Sequence, residues 1–236
     1  MQPKRLTVGN IFKDFSERYF SFDNKFIKTC IALFKQPEEV VNGYINGLRI
    51  RYVNPITFLI ISITLSSIQV LLIKNGYLDF GFVDLNPNEK NPFDMKKVNE
   101  WSFDHQNMIM FTTIPFLALI SRIVFFGRKE FNFAEHNLIY FYTYSVCTIA
   151  VLVLVIPFFL VFDLHFIFYI IISFSFMILY HVYALKRIFS LTRKQIFYKT
   201  LLFLVVAMSL YLALIIIATI CFFIYTILTG GLNLPK

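Results

Sequence analysis

Residues 138–184 read LIYFYTYSVCTIAVLVLVIPFFLVFDLHFIFYIIISFSFMILYHVYA, with Asp163 as their only acidic residue and no lysine or arginine. A helix needs about 20 apolar residues, at 1.5 Å each, to cross roughly 30 Å of hydrocarbon. The stretch is long enough to cross twice. Asp163, Leu164 and His165 supply the break. The reading is an antiparallel pair of spans, about 138–162 and 166–184, joined by a minimal turn.

Three more apolar runs lie outside this pair. One, about 53–73, opens on Asn54-Pro55, where proline suits a first helical turn. The next, about 108–126, carries Pro115 as an expected kink, as Pro157 does in the 138–162 run. The last, about 201–228, ends before Gly230-Gly231 and is long enough for one tilted helix or for a helix and an interfacial turn. Between the first two, 74–107 is a polar loop with Asp79, Asp84, Asp94 and Asp104, closing on Trp101 and Phe103 at the level of an interfacial aromatic belt. Residues 229–236 form a tail. The expected fold is all-α: a polytopic transmembrane bundle of about five spans with amphipathic interfacial helices over 1–52. Composition agrees, with 58% hydrophobic and only 15% charged residues, where soluble proteins have about 25% charged.

Residues 1–52 are amphipathic rather than apolar. Asn10 caps an expected helix carrying Ile11, Phe12, Phe15, Tyr19 and Phe20. A second, capped by Asp23 or Asn24, carries Ile27, Cys30, Ile31 and Phe34, with Lys25, Lys28 and Lys35 opposite. Pro37 begins a third, Glu38 and Glu39 suit its positive N-terminus, and Gly47 is its stop. Beside a span, such helices read as a collar along the inner leaflet, with Phe12, Phe15, Ile27 and Phe34 facing membrane or bundle. The competing reading is a small cytosolic bundle packed on itself.

Lysine and arginine set the orientation. Segments 1–52, 121–137 and 185–200 hold 17 of the 22, and the alternate segments hold five. The expectation is a cytosolic N-terminus, an extracytoplasmic 74–107 loop and an outer C-terminus. The net charge of +8 then belongs to anionic lipid head groups rather than to nucleic acid. Cys30, Cys147 and Cys221 form no CxxC or CxxH pattern, so no metal or other cofactor is expected. No cleavable signal peptide is read at the N-terminus, and the first span is expected to serve as its own insertion signal.

Polar chemistry gathers where the expected spans meet the cytosolic face: Arg49, Arg51, Arg122, Glu135, His136, His181 and Arg187. Ionisable groups near a span face protein or water, so these seven form a candidate cluster. In the favoured structural reading the cations snorkel to phosphates, and Glu135 caps its helix or pairs with Arg122, Arg49, Arg51 or Arg187. In the functional reading Glu135, His136 and an arginine hold an ion, a lipid head group or a small anion. Neighbours on a helix diverge by about 100°, so Glu135-His136 is a weak catalytic signal. His136, Tyr140, Tyr144 and Cys147 form one stripe at helical spacing and Ser62, Ser66 and Gln69 another, both read as packing faces.

Thr29-Cys30 with Pro37-Glu38, then Tyr44-Ile45-Asn46-Gly47, Arg49, Arg51-Tyr52 and Asn54-Pro55 through Phe58-Leu59 form an ordered set of motifs. Pro115 to Leu119, Arg122, Phe125, Phe133 to His136 and Tyr183 to Arg187 continue it. Over about residues 5–205 this set resembles a family of multi-spanning bacterial inner-membrane proteins, mostly from the Bacteroidota, catalogued only as a domain of unknown function. The resemblance implies a helical inner-membrane protein and supplies no activity or catalytic residue. Many members carry an N-terminal zinc ribbon, which this sequence lacks, so no function tied to the ribbon carries over.

The leading expectation is a non-enzymatic membrane helper, assembly or lipid-organising factor. Its expected partners are anionic lipids and either a second copy of the chain or another membrane protein. Two alternatives stand beside it: a small transporter or channel, and a membrane-embedded enzyme acting on lipid at the cytosolic face.

Overall fold

The computed structural model describes residues 25–75, 101–126, 131–162 and 166–228. Helix α1 covers residues 25–35 and α2 covers Pro37–Ile45. Then come α3, Pro55–Lys74; α4, Gln106–Val124; α5, Phe133–Phe162; α6, Phe166–Ile188; and α7, Arg193–Leu228. Helices α3 to α7 are long and apolar enough to cross a membrane, and no strand occurs among the described residues. The expected helix after Asn10, residues 76–100 of the polar loop, the turns 127–130 and 163–165, and the 229–236 tail lie outside the described residues.

Local chemistry sets the helix ends. The side chain of Asn132 accepts from the Glu135 amide at 3.0 Å, and the Glu135 carboxylate accepts from the Asn132 amide at 2.5 Å. This capping box starts α5 five residues before the expected 138. The basic segment 185–200, expected to lie between two spans, is helical except at 189–192. A Schellman turn ends α6: Ser190 takes φ 50°, while the Ser190 and Leu191 amides donate to the Arg187 and Lys186 carbonyls. Thr192 and Gln195 then exchange side-chain and backbone hydrogen bonds at 3.1 and 3.4 Å and begin α7. Lys186, Arg187, Arg193, Lys194 and Lys199 therefore sit on helix rather than coil.

Gly47 ends α2 as expected. Its φ of 97° is in the left-handed region, and the Leu48 amide reaches back to the Gly43 carbonyl at 2.8 Å. Within α5, Val151–Val155 widens into a π turn just ahead of Pro157. Proline lacks the amide of a regular turn and crowds the carbonyl four residues back, and the wider turn relieves that clash.

The collar is part of the bundle. Leu33 of α1 and Val40 and Val41 of α2 share one core with Tyr52, Val53 and Phe58, Tyr142 and Val146 of α5, and Tyr180, Ala184 and Ile188 of α6. The buried face of α1 runs through Thr29 and Leu33, Cys30 of the expected apolar stripe packs against the same core, Phe34 sets its ring against Phe176 and Tyr180 of α6, and Ile27 and Ile31 are exposed. Helices α1 and α2 thus dock on α5 and α6, on the bundle side that the collar reading left open, rather than only on each other.

Tyrosines of α6 explain the docking. Pro37 has no amide hydrogen, so the Leu33 carbonyl loses its helical partner. The Tyr180 hydroxyl donates to it at 2.9 Å, and the Tyr183 hydroxyl donates to the Lys35 carbonyl at 3.0 Å. At the far end of the bundle the Gln69 amide donates to the Tyr169 hydroxyl at 2.6 Å, and the Ser66 hydroxyl reaches the Met110 sulfur. Helix α7 packs along Ile196, Lys199, Thr200, Phe203, Val206, Ala207 and Leu210, and every side chain from 211 to 217 is exposed.

Candidate functional site

The seven expected site residues all lie toward the end of the bundle that carries α1 and α2, and they divide into three groups. The first binds α2. The Arg187 guanidinium grips both carboxylate oxygens of Glu38, with Nε donating to Oε2 at 3.0 Å and Nη2 donating to Oε1. Arg51 pairs with Glu39, and Arg49 lies over the Tyr44 ring at 5.6 Å. The fork from Arg187 holds the Glu38 carboxyl below the usual carboxylate range.

The second group is local to the α4–α5 corner. Arg122 Nη1 donates to the Phe131 carbonyl at 2.7 Å, and Glu135 completes the capping box. The expected ion pair of Glu135 with Arg122, Arg49, Arg51 or Arg187 is not found among the described residues. The Glu135 carboxylate instead satisfies the otherwise unpaired Asn132 amide at the α5 N-terminus.

The third group is internal. His136 is buried, and its Nδ1 lies 3.0 Å from the Ser121 hydroxyl. Rings of Phe125, Phe131 and Phe189 enclose it. One turn along α5, the Tyr140 ring stacks on His181 with centroids 5.7 Å apart. His181 Nδ1 lies 2.8 Å from the Met177 carbonyl and 4.0 Å from the Cys147 sulfur. The stripe read on α5 as a packing face therefore does pack, and it also leads to a second histidine on α6.

Tyr140 and His181 line a cleft between α4, α5, α6 and α7 of about 120 Å³, on the measure by which a single water needs about 10–15 Å³. Its walls are apolar, among them Leu117, Met177, Val182 and Phe203. At its rim Ile178 and Leu204 are 45% and 51% exposed on the outer surface. Lys199 joins the lining, with its ammonium donating to the Val124 carbonyl and lying 5.4 Å over the Phe125 ring. His181 Nε2 and the Tyr140 hydroxyl are buried and meet no hydrogen-bond partner of good geometry among the described residues.

Lys199 and the cleft were missed because the last span is expected to begin only near residue 201. The Thr192-x-x-Gln195 cap followed by Ile196, Lys199, Thr200 and Phe203 is the signal that places Lys199 inside a helix. Burial pushes the Cys30 thiol up to about 11, so it stays protonated and a poor nucleophile. Among the described residues no three His, Cys, Asp or Glu side chains gather as a metal-binding group.

The class that these elements define is a polytopic helical bundle of membrane-spanning length with a side-opening apolar cleft at its polar end. Residues 23–66 match the model of a family described as protein of unknown function (DUF3667). The matched stretch holds α1, α2 and the first part of α3, the elements that plug into the polar end of the bundle. No curated protein and no solved structure matches the chain.

Proposed function

We propose that this protein is a non-enzymatic, lipid-organising protein of a bacterial inner membrane, with its N-terminus in the cytosol and its C-terminus outside. The observation that carries the reading is the cleft between α6 and α7, apolar within and bordered by half-exposed side chains. Such a cleft suits the apolar body of a lipid entering sideways from the bilayer. The lysine and arginine count supports the orientation, and the same cations suit anionic lipids around the cytosolic end. The resemblance to multi-spanning proteins of the Bacteroidota supports the bacterial setting. Against the lipid-enzyme alternative weighs the Glu135 carboxylate, one oxygen of which accepts from the Asn132 amide at the α5 N-terminus.

The test is lipid retention. Protein purified in mild detergent and examined by native mass spectrometry is expected to carry one lipid per chain. Leu204→Trp, which fills the mouth of the cleft from an exposed position, is expected to lose that lipid and keep its melting temperature. Retention of the same lipid by the variant, or none above background in the wild type, would refute the reading.

A further inference from the structure

We infer that the guest of this cleft is an uncharged lipid with a single free hydroxyl at the depth of the glycerol backbone, of the diacylglycerol class, whose hydroxyl hydrogen-bonds to His181 Nε2. The inference rests on the lipid-binding reading above and names the lipid.

The Met177 carbonyl can only accept, so His181 Nδ1 carries a proton and donates at 2.8 Å. A second proton on the ring would leave a charge in an apolar wall with no carboxylate in the lining. Nε2 is therefore a lone pair, and it is buried without a partner. A buried acceptor left unpaired is costly, and a guest that brings a donor removes that cost. A hydroxyl or amide proton fits here, whereas a phosphate oxygen, itself an acceptor, does not.

Depth narrows the class. Arg187, paired with Glu38, marks the polar end of α6. His181 lies six residues further in, roughly 9 Å along the axis, which exceeds the roughly 5–8 Å of head-group region on each side of the bilayer. The acceptor thus meets the boundary between glycerol and hydrocarbon. Lys199 sits six residues into α7 on the same cleft and presents ammonium donors where ester carbonyls would lie. One hydroxyl donor and two ester acceptors on an apolar body complement the imidazole acceptor and the ammonium and Tyr140 hydroxyl donors set in walls that are otherwise apolar but for Thr200.

The experiment uses the full chain in nanodiscs with a bound pyrene-labelled acyl lipid. Two competitors are compared, 1,2-dioleoylglycerol and its 3-O-methyl ether, in which one methyl group replaces the donor hydrogen. The diacylglycerol is expected to displace the probe at a concentration about five- to tenfold lower than the ether, the effect of one hydrogen bond. In His181→Phe, which keeps a ring in contact with Tyr140, the two competitors should become equal while the probe still binds. Equal displacement in the wild type would overturn the inference and leave the cleft reading standing, and it needs no variant to fold. A preference that persists in His181→Phe would overturn the assignment to this residue. Failure of the wild type to bind the probe would overturn the cleft reading and with it this inference.

Discussion

Replacing Tyr142 by phenylalanine tests how the segment before α3 is held. Val53 lies in that segment, buried and outside any helix. Both of its backbone polar groups are satisfied by side chains: its amide donates to Thr29 Oγ1 at 3.1 Å, and its carbonyl accepts from the Tyr142 hydroxyl at 2.6 Å. Thr29 in turn donates to the Lys25 carbonyl at 2.7 Å. Three elements, α1, the α3 entrance and α5, thus meet at one residue. Tyr142→Phe keeps the ring, which contacts Phe58 and Tyr44, and removes only the donor. The Val53 carbonyl is then orphaned in the core, at a cost of about 1–3 kcal/mol. For a chain of this size 1 kcal/mol moves the midpoint by about 2–4 °C, so a fall of about 2–12 °C is expected. Thermal unfolding in detergent, followed by size exclusion after heating, reads it directly. Thr29→Val orphans the amide of the same residue, and the pair of changes should be non-additive because both release the same segment. A Tyr142→Phe protein that melts within 1 °C of the wild type would refute this account of the junction.

Three further outcomes are expected. Asn132→Ala should cost about 1 kcal/mol through loss of the α5 cap, whereas Glu135→Gln, which keeps an acceptor at the same position, should change the midpoint little; a large loss in Glu135→Gln would restore the ion-pair reading. Glu38 has a folded pKa below its unfolded value because of the Arg187 fork, so its contribution is full above about pH 4.3 and is lost as pH falls through the folded value. The midpoint of the wild type should therefore drop on acidification more steeply than that of Glu38→Gln, by a modest amount because the pair is partly exposed, and parallel pH profiles would contradict it. From the proposed orientation, which rests on the lysine and arginine count, reporter fusions at Asn88 and the C-terminus should score outside the cytosol and fusions at Lys129 and Arg193 inside, and an inside C-terminus would remove the fifth crossing.

Much of this architecture was legible because membrane-length apolar runs are a one-dimensional signal. The α3 and α4 limits follow their apolar runs within a few residues. The ends of α5, α6 and α7 were less legible because the span limits were drawn from the apolar runs alone; Glu135 was offered as a cap of its helix, but Asn132-x-x-Glu135 and Thr192-x-x-Gln195 were not used as cap patterns to extend α5 and α7. The polar cluster was only partly legible. Arg187 and Arg51 do form ion pairs, but with Glu38 and Glu39, which the sequence offered only as first-turn acids of α2. Such pairings depend on α2 docking against α6 across 149 residues of chain, and no local pattern encodes that. The His136 and Tyr140 stripe was visible, while its continuation to His181 required two helices to be placed side by side.

That same separation has a consequence for how the protein is made. The groups on α6 that complete α1 and α2, from Tyr180 through Ile188, emerge from the ribosome long after their targets. At about 5–20 residues per second, the N-terminal helices wait roughly 7–30 s with the Leu33 carbonyl unpaired and Val40 and Val41 uncovered. During that interval the bilayer surface, or a protein that shields such faces, must hold them, and the last step of assembly is the return of the first-synthesised segment to a nearly finished bundle. Translation pauses placed before α6 should lengthen the exposure of this segment to added protease, while pauses after Ile188 should not.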